Sequence, residues 1–90
     1  MRKELTTVFD ARKSFYGKAY VSEESNTFNL FSYDTYIATI SNGHIKFASN
    51  IKDLLSQTTL RHLKEFMKQY LYGFDKQITK RDIIKMNTKH

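Results

Sequence analysis

Residues 58–73, TTLRHLKEFMKQYLYG, place Leu60, Leu63, Met67, Tyr70 and Leu71 on one side of a helix, with Phe66 at its edge. This stretch constrains the chain most, because a helix with a single apolar stripe needs a second layer to cover that stripe. The spacing predicts a helix over 58–72. Ser56 or Thr58 can cap its start, and Gly73 sits where a left-handed residue ends a helix. The opposite side carries Arg61, Lys64, Glu65 and Lys68. Helical geometry puts the three cations in one strip, with Tyr72 at its far end.

The covering layer lies upstream. FYGKAYV (15–21) alternates, with Phe15, Gly17, Ala19 and Val21 on one side of a strand and Tyr16, Lys18 and Tyr20 on the other. SEESNT (22–27) is a polar turn cluster, FNLFSY (28–33) a second strand, DT a tight connection, and YIATI (36–40) a third strand. Asn42-Gly43 within SNGH suits a two-residue hairpin turn, because both residues tolerate positive φ; IKFA (45–48) is then the fourth strand. A shorter helix is expected at TKRDIIKM (79–86), where Thr79 and Asp82 imitate a capping box. Residues 1–8 read as a loose lead-in and 87–90 as a frayed tail. The expected architecture is α+β: an antiparallel four-stranded meander over 15–48, packed by one long amphipathic helix, with a short C-terminal helix beside it.

Ninety residues make one small domain. Seven phenylalanines and six tyrosines help a core of that size, since each ring removes much apolar surface from water. The chain has no cysteine, which rules out disulfides and thiolate metal ligation and fits a reducing compartment. No apolar run reaches the ~20 residues a membrane span needs. The opening MRKELTTVFDARKSF lacks the apolar core of a secretory signal. A soluble cytoplasmic protein, without a membrane partner, is expected.

Chemistry that needs clustered side chains finds little support. His44, His62 and His90 do not pair at i+3 or i+4, so no metal site is expected. His62 sits on the flank of the helix, where a partly exposed bystander is the ordinary reading. No G-x-S-x-G elbow surrounds a serine, the carboxylates are scattered over turns and helix ends, and Gly17, Gly43 and Gly73 are too isolated to cradle phosphate. Neither catalysis nor a cofactor is expected.

Charge is more informative. The net value is +6, but residues 1–18 carry +3, residues 19–57 carry −2, residues 58–72 carry +2 and residues 73–90 carry +3. Cations concentrated on the ends and the long helix point to a polyanion. Candidate contacts are Arg12, Lys13, Tyr16, Lys18 and Tyr20 near the first strand, where two tyrosines flanking a lysine could stack bases. Further candidates are Arg61, Lys64 and Lys68 on the helix, and Lys80, Arg81 and Lys85 in the tail. Solvated helix faces and tyrosines packed at a sheet edge are the plain alternatives.

ARKSFYGKAYV, LFSYDTYIATI and TTLRHLKEFMKQ together resemble a group of small proteins, without assigned activity, from phages and mobile elements of low-GC Gram-positive bacteria. The shared pattern is an SFYxKA-like opening, a Ser-Tyr-x-Thr strand pair and a T-T-x-R-H helix start, over residues 11–69. It singles out Ser32, Tyr33 and Thr35, and Thr58, Thr59, Arg61 and His62. The group has no activity to carry over. A phage-type origin together with the basic helix strip and the two basic ends leads to the expectation of a non-enzymatic binding protein that engages nucleic acid or a host nucleoprotein complex. Its most concrete form is an anti-defence inhibitor of the anti-CRISPR type acting on a CRISPR nuclease. The alternative is a protein–protein module or homo-oligomer that uses exposed tyrosines, with charge serving solubility.

Overall fold

The structure, a computed structural model, describes residues 2–8, 10, 15–71 and 79–87. Its five strands are β1 (Arg2–Glu4), β2 (Ala19–Glu24), β3 (Thr27–Ser32), β4 (Thr35–Ser41) and β5 (His44–Phe47), followed by α1 (Ile51–Leu54), α2 (Gln57–Tyr70) and α3 (Lys80–Asn87). The strands form one antiparallel sheet in sequence order. The α+β class and the meander are as expected, but the sheet has five strands rather than four. The loose lead-in is instead an edge strand: Arg2, Lys3 and Glu4 pair with Ser22, Val21 and Tyr20, and the buried Leu5 donates its N–H to the Ala19 carbonyl at 2.8 Å. Charged side chains on an edge strand discourage pairing with other chains, which is why this segment carries no apolar alternation to read.

The first expected strand, 15–21, starts only at Ala19. Tyr16 and Gly17 have φ of 54° and 72°, Lys18 N–H donates to the Phe15 carbonyl at 3.1 Å, and the Glu4 carboxylate accepts from Gly17 N–H at 2.9 Å. Tyr16 and Lys18 therefore belong to a turn, not to a strand face shared with Tyr20. The remaining connections are tighter than the polar clusters indicate. Ser25-Asn26, Tyr33-Asp34 and Asn42-Gly43 each place both central residues at positive φ, the geometry that matches hairpin twist. Thr35 already belongs to β4, so the connection is Tyr33-Asp34 rather than Asp34-Thr35. Only the third turn has glycine at the strained position. Replacing Ser25-Asn26 by Asn-Gly is expected to stabilise the fold by about 1 kcal/mol. That is a rise in melting temperature of about 4–8 °C for a domain this small; an unchanged melting temperature would refute the strain reading.

Between β3 and β4 the register jumps from Leu30↔Ala38 to Phe31↔Tyr36, which leaves Ile37 as an extra residue. This bulge turns both Ile37 and Ala38 into the core and leaves Tyr36 on the other face. On the buried face Val21, Leu30, Ile37, Ile40 and Phe47 meet Leu63, Phe66 and Met67 of α2, which lies across β3 and β4. Phe66 is at the centre of the helix stripe rather than its edge, while Leu60, Tyr70 and Leu71 are only partly buried. Ser56 caps α2, its hydroxyl accepting from Thr59 N–H at 3.1 Å; Gly73 lies outside the described residues.

The short α1 fills a stretch with no expected element; its Ile51 and the Leu55 that follows it are core residues, and α1 meets α3, whose Ile83 is fully buried. The capping box at α3 is made: Thr79 N–H donates to the Asp82 carboxylate at 3.0 Å, and Asp82 N–H donates to the Thr79 hydroxyl at 3.2 Å. The Thr79 N–H and the Thr79 hydroxyl, both donating to the Asp82 carboxylate at 3.0 Å, hold that carboxyl below its usual range. Asn87, expected in the frayed tail, is the last residue of α3. Among the described residues no helix is long and apolar enough to cross a membrane, and no cluster of three potential metal ligands occurs.

Candidate nucleic-acid interface

The polar side of α2 is not a uniform solvated edge. Arg61, Glu65 and Gln69 recur every four residues and together hold the segment that follows β1. Glu65, expected on the solvent side, is only 1% exposed; its carboxylate accepts from Val8 N–H at 3.1 Å and Asp10 N–H at 2.8 Å. The Gln69 amide donates to the Thr6 carbonyl at 2.7 Å and also to Glu65. Arg61 forks onto Asp10, with N···O distances of 3.2 and 3.0 Å. The basic strip is thus divided: Arg61 is engaged by a carboxylate, whereas Lys64 and Lys68 are half-buried neighbours on the helix. The burial of Glu65 has a simple cause. Thr6, Val8 and Asp10 lie against α2, and the backbone N–H groups of the latter two need an acceptor.

Three clefts run from this strap to the sheet edge. The first, about 350 Å³, is lined by Asp10, Gln57, Leu60, Arg61 and Lys64. The second, about 100 Å³, shares Arg61 with the first and adds Phe15, Tyr16, Lys18, Tyr33, Thr58 and His62. The third, about 560 Å³, shares Lys18 and Tyr33 with the second and is completed by Arg2, Gly17, Tyr20 and Asp34. The clefts are neighbours through these shared residues, and their linings bring Lys64, Arg61, Lys18 and Arg2 to the same stretch of surface as Tyr16, Tyr33 and Tyr20; we call this stretch the groove. Tyr16 is 73% and Tyr33 50% exposed, and the Lys18 ammonium stands 5.6 Å from the Tyr33 ring centre.

Arg2 closes the far end of the groove. Its guanidinium lies 4.2 Å from the Phe31 ring centre and pairs with Asp34 at 3.1 Å. Phe31 sits between Tyr20 and Tyr36 in the sheet register, so an aromatic row continues from the groove across the outer face. Both features depend on the edge strand and the bulge.

Beneath the middle cleft is a buried polar chain. The Ser56 hydroxyl donates to Thr59 Oγ1 at 3.2 Å, Thr59 Oγ1 is 3.0 Å from Ser32 Oγ, and Ser32 Oγ is 2.8 Å from His62 Nδ1. These groups satisfy one another inside the fold, each hydroxyl able both to donate and to accept. His62 is fully buried, not the partly exposed bystander expected from its place on the helix flank. Burial holds its pKa down to about 4, against the pull of Asp10 and with the help of Lys18, so the ring is neutral at neutral pH. Phe15 meets it edge-on at 4.6 Å. Ser32 and His62 pair as a nucleophile and base do, but Ser32 is 2% exposed and lines none of the three clefts, so no substrate reaches it along them.

Of the candidate contacts read from the sequence, the structure brings Tyr16, Lys18, Tyr20, Arg61 and Lys64 to the groove. Lys68, Lys80, Arg81 and Lys85 line none of these clefts, and Arg12 and Lys13 lie outside the described residues. Arg2 and Tyr33 are additional. The Ser-Tyr-x-Thr and T-T-x-R-H segments carried the available signal. In space Ser32, Thr59 and His62 form the buried chain, while Tyr33, Thr58 and Arg61 line the cleft above it.

Residues 3–85 match the model of a family of unknown function, DUF8033, and the chain belongs to that family. No curated protein and no solved structure matches it.

Proposed function

We propose that this DUF8033 protein is a non-enzymatic binder of single-stranded nucleic acid, with the strand lying in the groove from Lys64 to Arg2. The observation that carries this reading is the succession of three neighbouring clefts whose shared linings bring cations beside exposed aromatic rings. A single strand needs that combination: cations to replace counterions along its phosphates, and ring faces on which unpaired bases stack. Arg61 and Arg2 are already paired with Asp10 and Asp34, so Lys18 and Lys64 supply the uncompensated charge. The most concrete setting, implied by the phage-type resemblance, is the exposed guide RNA or displaced DNA strand of a host defence complex such as a CRISPR nuclease.

Tyr33→Ala is expected to weaken single-strand binding roughly 5- to 150-fold, the loss of one stacked base. Lys18→Ala should weaken binding less and flatten its salt dependence by about 0.7 in log–log slope. Lys68→Ala and Lys80→Ala, outside the groove, serve as controls. A folded Tyr33→Ala variant that binds like the parent chain would remove the groove from consideration. The exposure of Tyr16, Tyr33 and Tyr36 also favours a second reading, a tyrosine-rich protein contact. Affinity of that kind would be largely insensitive to salt.

A further inference from the structure

Resting on the single-strand reading, we infer that the outer face of the sheet is a second platform for the same strand. The strand leaves the groove at Arg2, stacks one base on the Arg2 guanidinium and one on the Tyr36 ring, and sets a phosphate at Lys46.

The strand register builds this face. Tyr20, Phe31 and Tyr36 are neighbours across β2, β3 and β4, and beside them Arg2, Ser22, Asn29, Thr39 and Lys46 form a row across all five strands. The helices add their buried residues to the core on the opposite face. The polar row has a cation at each end and no carboxylate, and it spans about 19 Å at the usual spacing between strands. Lys46 is exposed and has no ion-pair partner among the described residues.

Two planar groups are held flat on this surface. The Thr39 hydroxyl donates its one proton to Asn29 Oδ1 at 2.6 Å, so the Tyr36 hydroxyl is the donor in its bond to Thr39 Oγ1. Thr39 Oγ1 is carried directly on Cβ, close to the sheet. A phenol that reaches it lies along β4 and turns a ring face outward, and Tyr36 is 37% exposed. The Arg2 guanidinium lies over Phe31 and Tyr20, at 4.2 and 6.0 Å from their ring centres, and Nη1 makes its bond to Asp34. Such a bond runs in the guanidinium plane, which leaves the face away from Phe31 for a base. Planes already fixed in place lose little entropy when a base stacks on them.

The chemistry of the face favours a polynucleotide over a protein. The residues that β2–β5 turn outward in this register include no Leu, Ile, Val or Met, whereas the centre of a protein contact is apolar. Stacking planes flanked by cations, hydroxyls and an amide match unpaired bases between phosphates. Continuity with the groove comes from Arg2 and Tyr20, which line its third cleft.

Oligouridines of about 4 and about 12 nucleotides, within the range of site sizes of single-strand binders, are titrated into the full parent chain and its folded variants. Tyr36→Ala should weaken binding of the longer strand roughly 5- to 150-fold, and that of the shorter strand, which the groove alone holds, far less. Thr39→Val keeps the ring and removes its tether, so it should weaken the longer strand by less than Tyr36→Ala does. Lys46→Ala should flatten the salt slope of the longer strand by about 0.7. Longer-strand affinity unchanged in Tyr36→Ala and lowered in Tyr33→Ala would overturn the platform and leave the groove standing. An equal loss for both lengths in Tyr36→Ala would place its effect in the groove and also overturn the platform. Sedimentation of the chain alone covers another occupant: a dimer that Tyr36→Ala dissociates would give the face to a second copy. No binding of either strand to the parent chain would overturn both readings.

Discussion

Glu65→Ala should destabilise the fold by about 3 kcal/mol and release Thr6, Val8 and Asp10 from α2. The carboxylate is 1% exposed and accepts from two backbone N–H groups, Val8 at 3.1 Å and Asp10 at 2.8 Å. Bonds to a charged acceptor contribute about 1.5–3 kcal/mol each. Val8 is 64% exposed, so water satisfies part of what is lost, which places the effect near the lower end of the doubled figure. Glu65→Gln keeps the shape but turns an amide N–H₂ toward one of the two donors, and should cost about half as much. Urea titration gives the stability, and hydrogen exchange at Val8 and Asp10 gives the detachment. Unchanged protection at those two amides in Glu65→Ala would show that the strap is held by something else. Because Asp10 belongs to the strap and pairs with Arg61, the same variant should also loosen the first cleft of the groove.

Acid should weaken the protein through His62. Its pKa is about 4 in the fold against an ordinary 6.5, so the unfolded chain takes up the proton first as pH falls. The stabilising contribution is complete above pH 6.5 and declines as pH drops toward 4. At about 1.4 kcal/mol per pKa unit, the full loss is about 3 kcal/mol. Asp82, whose carboxyl is also held down, acts in the same direction but at lower pH. Unfolding free energies measured at intervals from pH 7 to 4 should show this slope in the parent chain and lack it in His62→Gln. Parallel pH curves for the two proteins would mean that His62 titrates normally and is not sealed in the core.

The parts of the fold that were legible in the sequence are those written in local periodicity and turn chemistry. Alternation marks the strands, Asn42-Gly43 marks the last hairpin, Ser56 marks the start of α2, and Thr79 with Asp82 marks α3. What escaped depends on partners distant in sequence. Arg2–Glu4 becomes a strand only because β2 offers an edge, and nothing in RKE announces it. The extra residue Ile37 is visible only once Leu30 and Phe31 are paired across the sheet. Glu65 and His62 look like surface residues on a helical wheel; one is buried by the returning N-terminal segment and the other by Ser32 of β3. For the site, Tyr16, Lys18, Arg61 and Lys64 could be named from charge and aromatic content. Their alignment with Tyr33 and Arg2 is set by the tertiary fold, and Tyr20 joins them from β2 and not from a face it shares with Tyr16.

Equilibrium binding of the full chain to mixed-sequence single-stranded RNA and DNA and to duplexes of the same sequence, followed across salt concentration, tests the central claim most directly. With two to four groove cations replacing counterions, the single-strand affinity should fall with a log–log salt slope between about −1.4 and −2.8. Single strands should also bind more tightly than duplexes, whose bases cannot stack on Tyr16 and Tyr33. No single-strand binding at low salt, or tighter binding to the duplex, would contradict a stacking groove and return Lys18, Arg61 and Lys64 to the role of solvated surface charge.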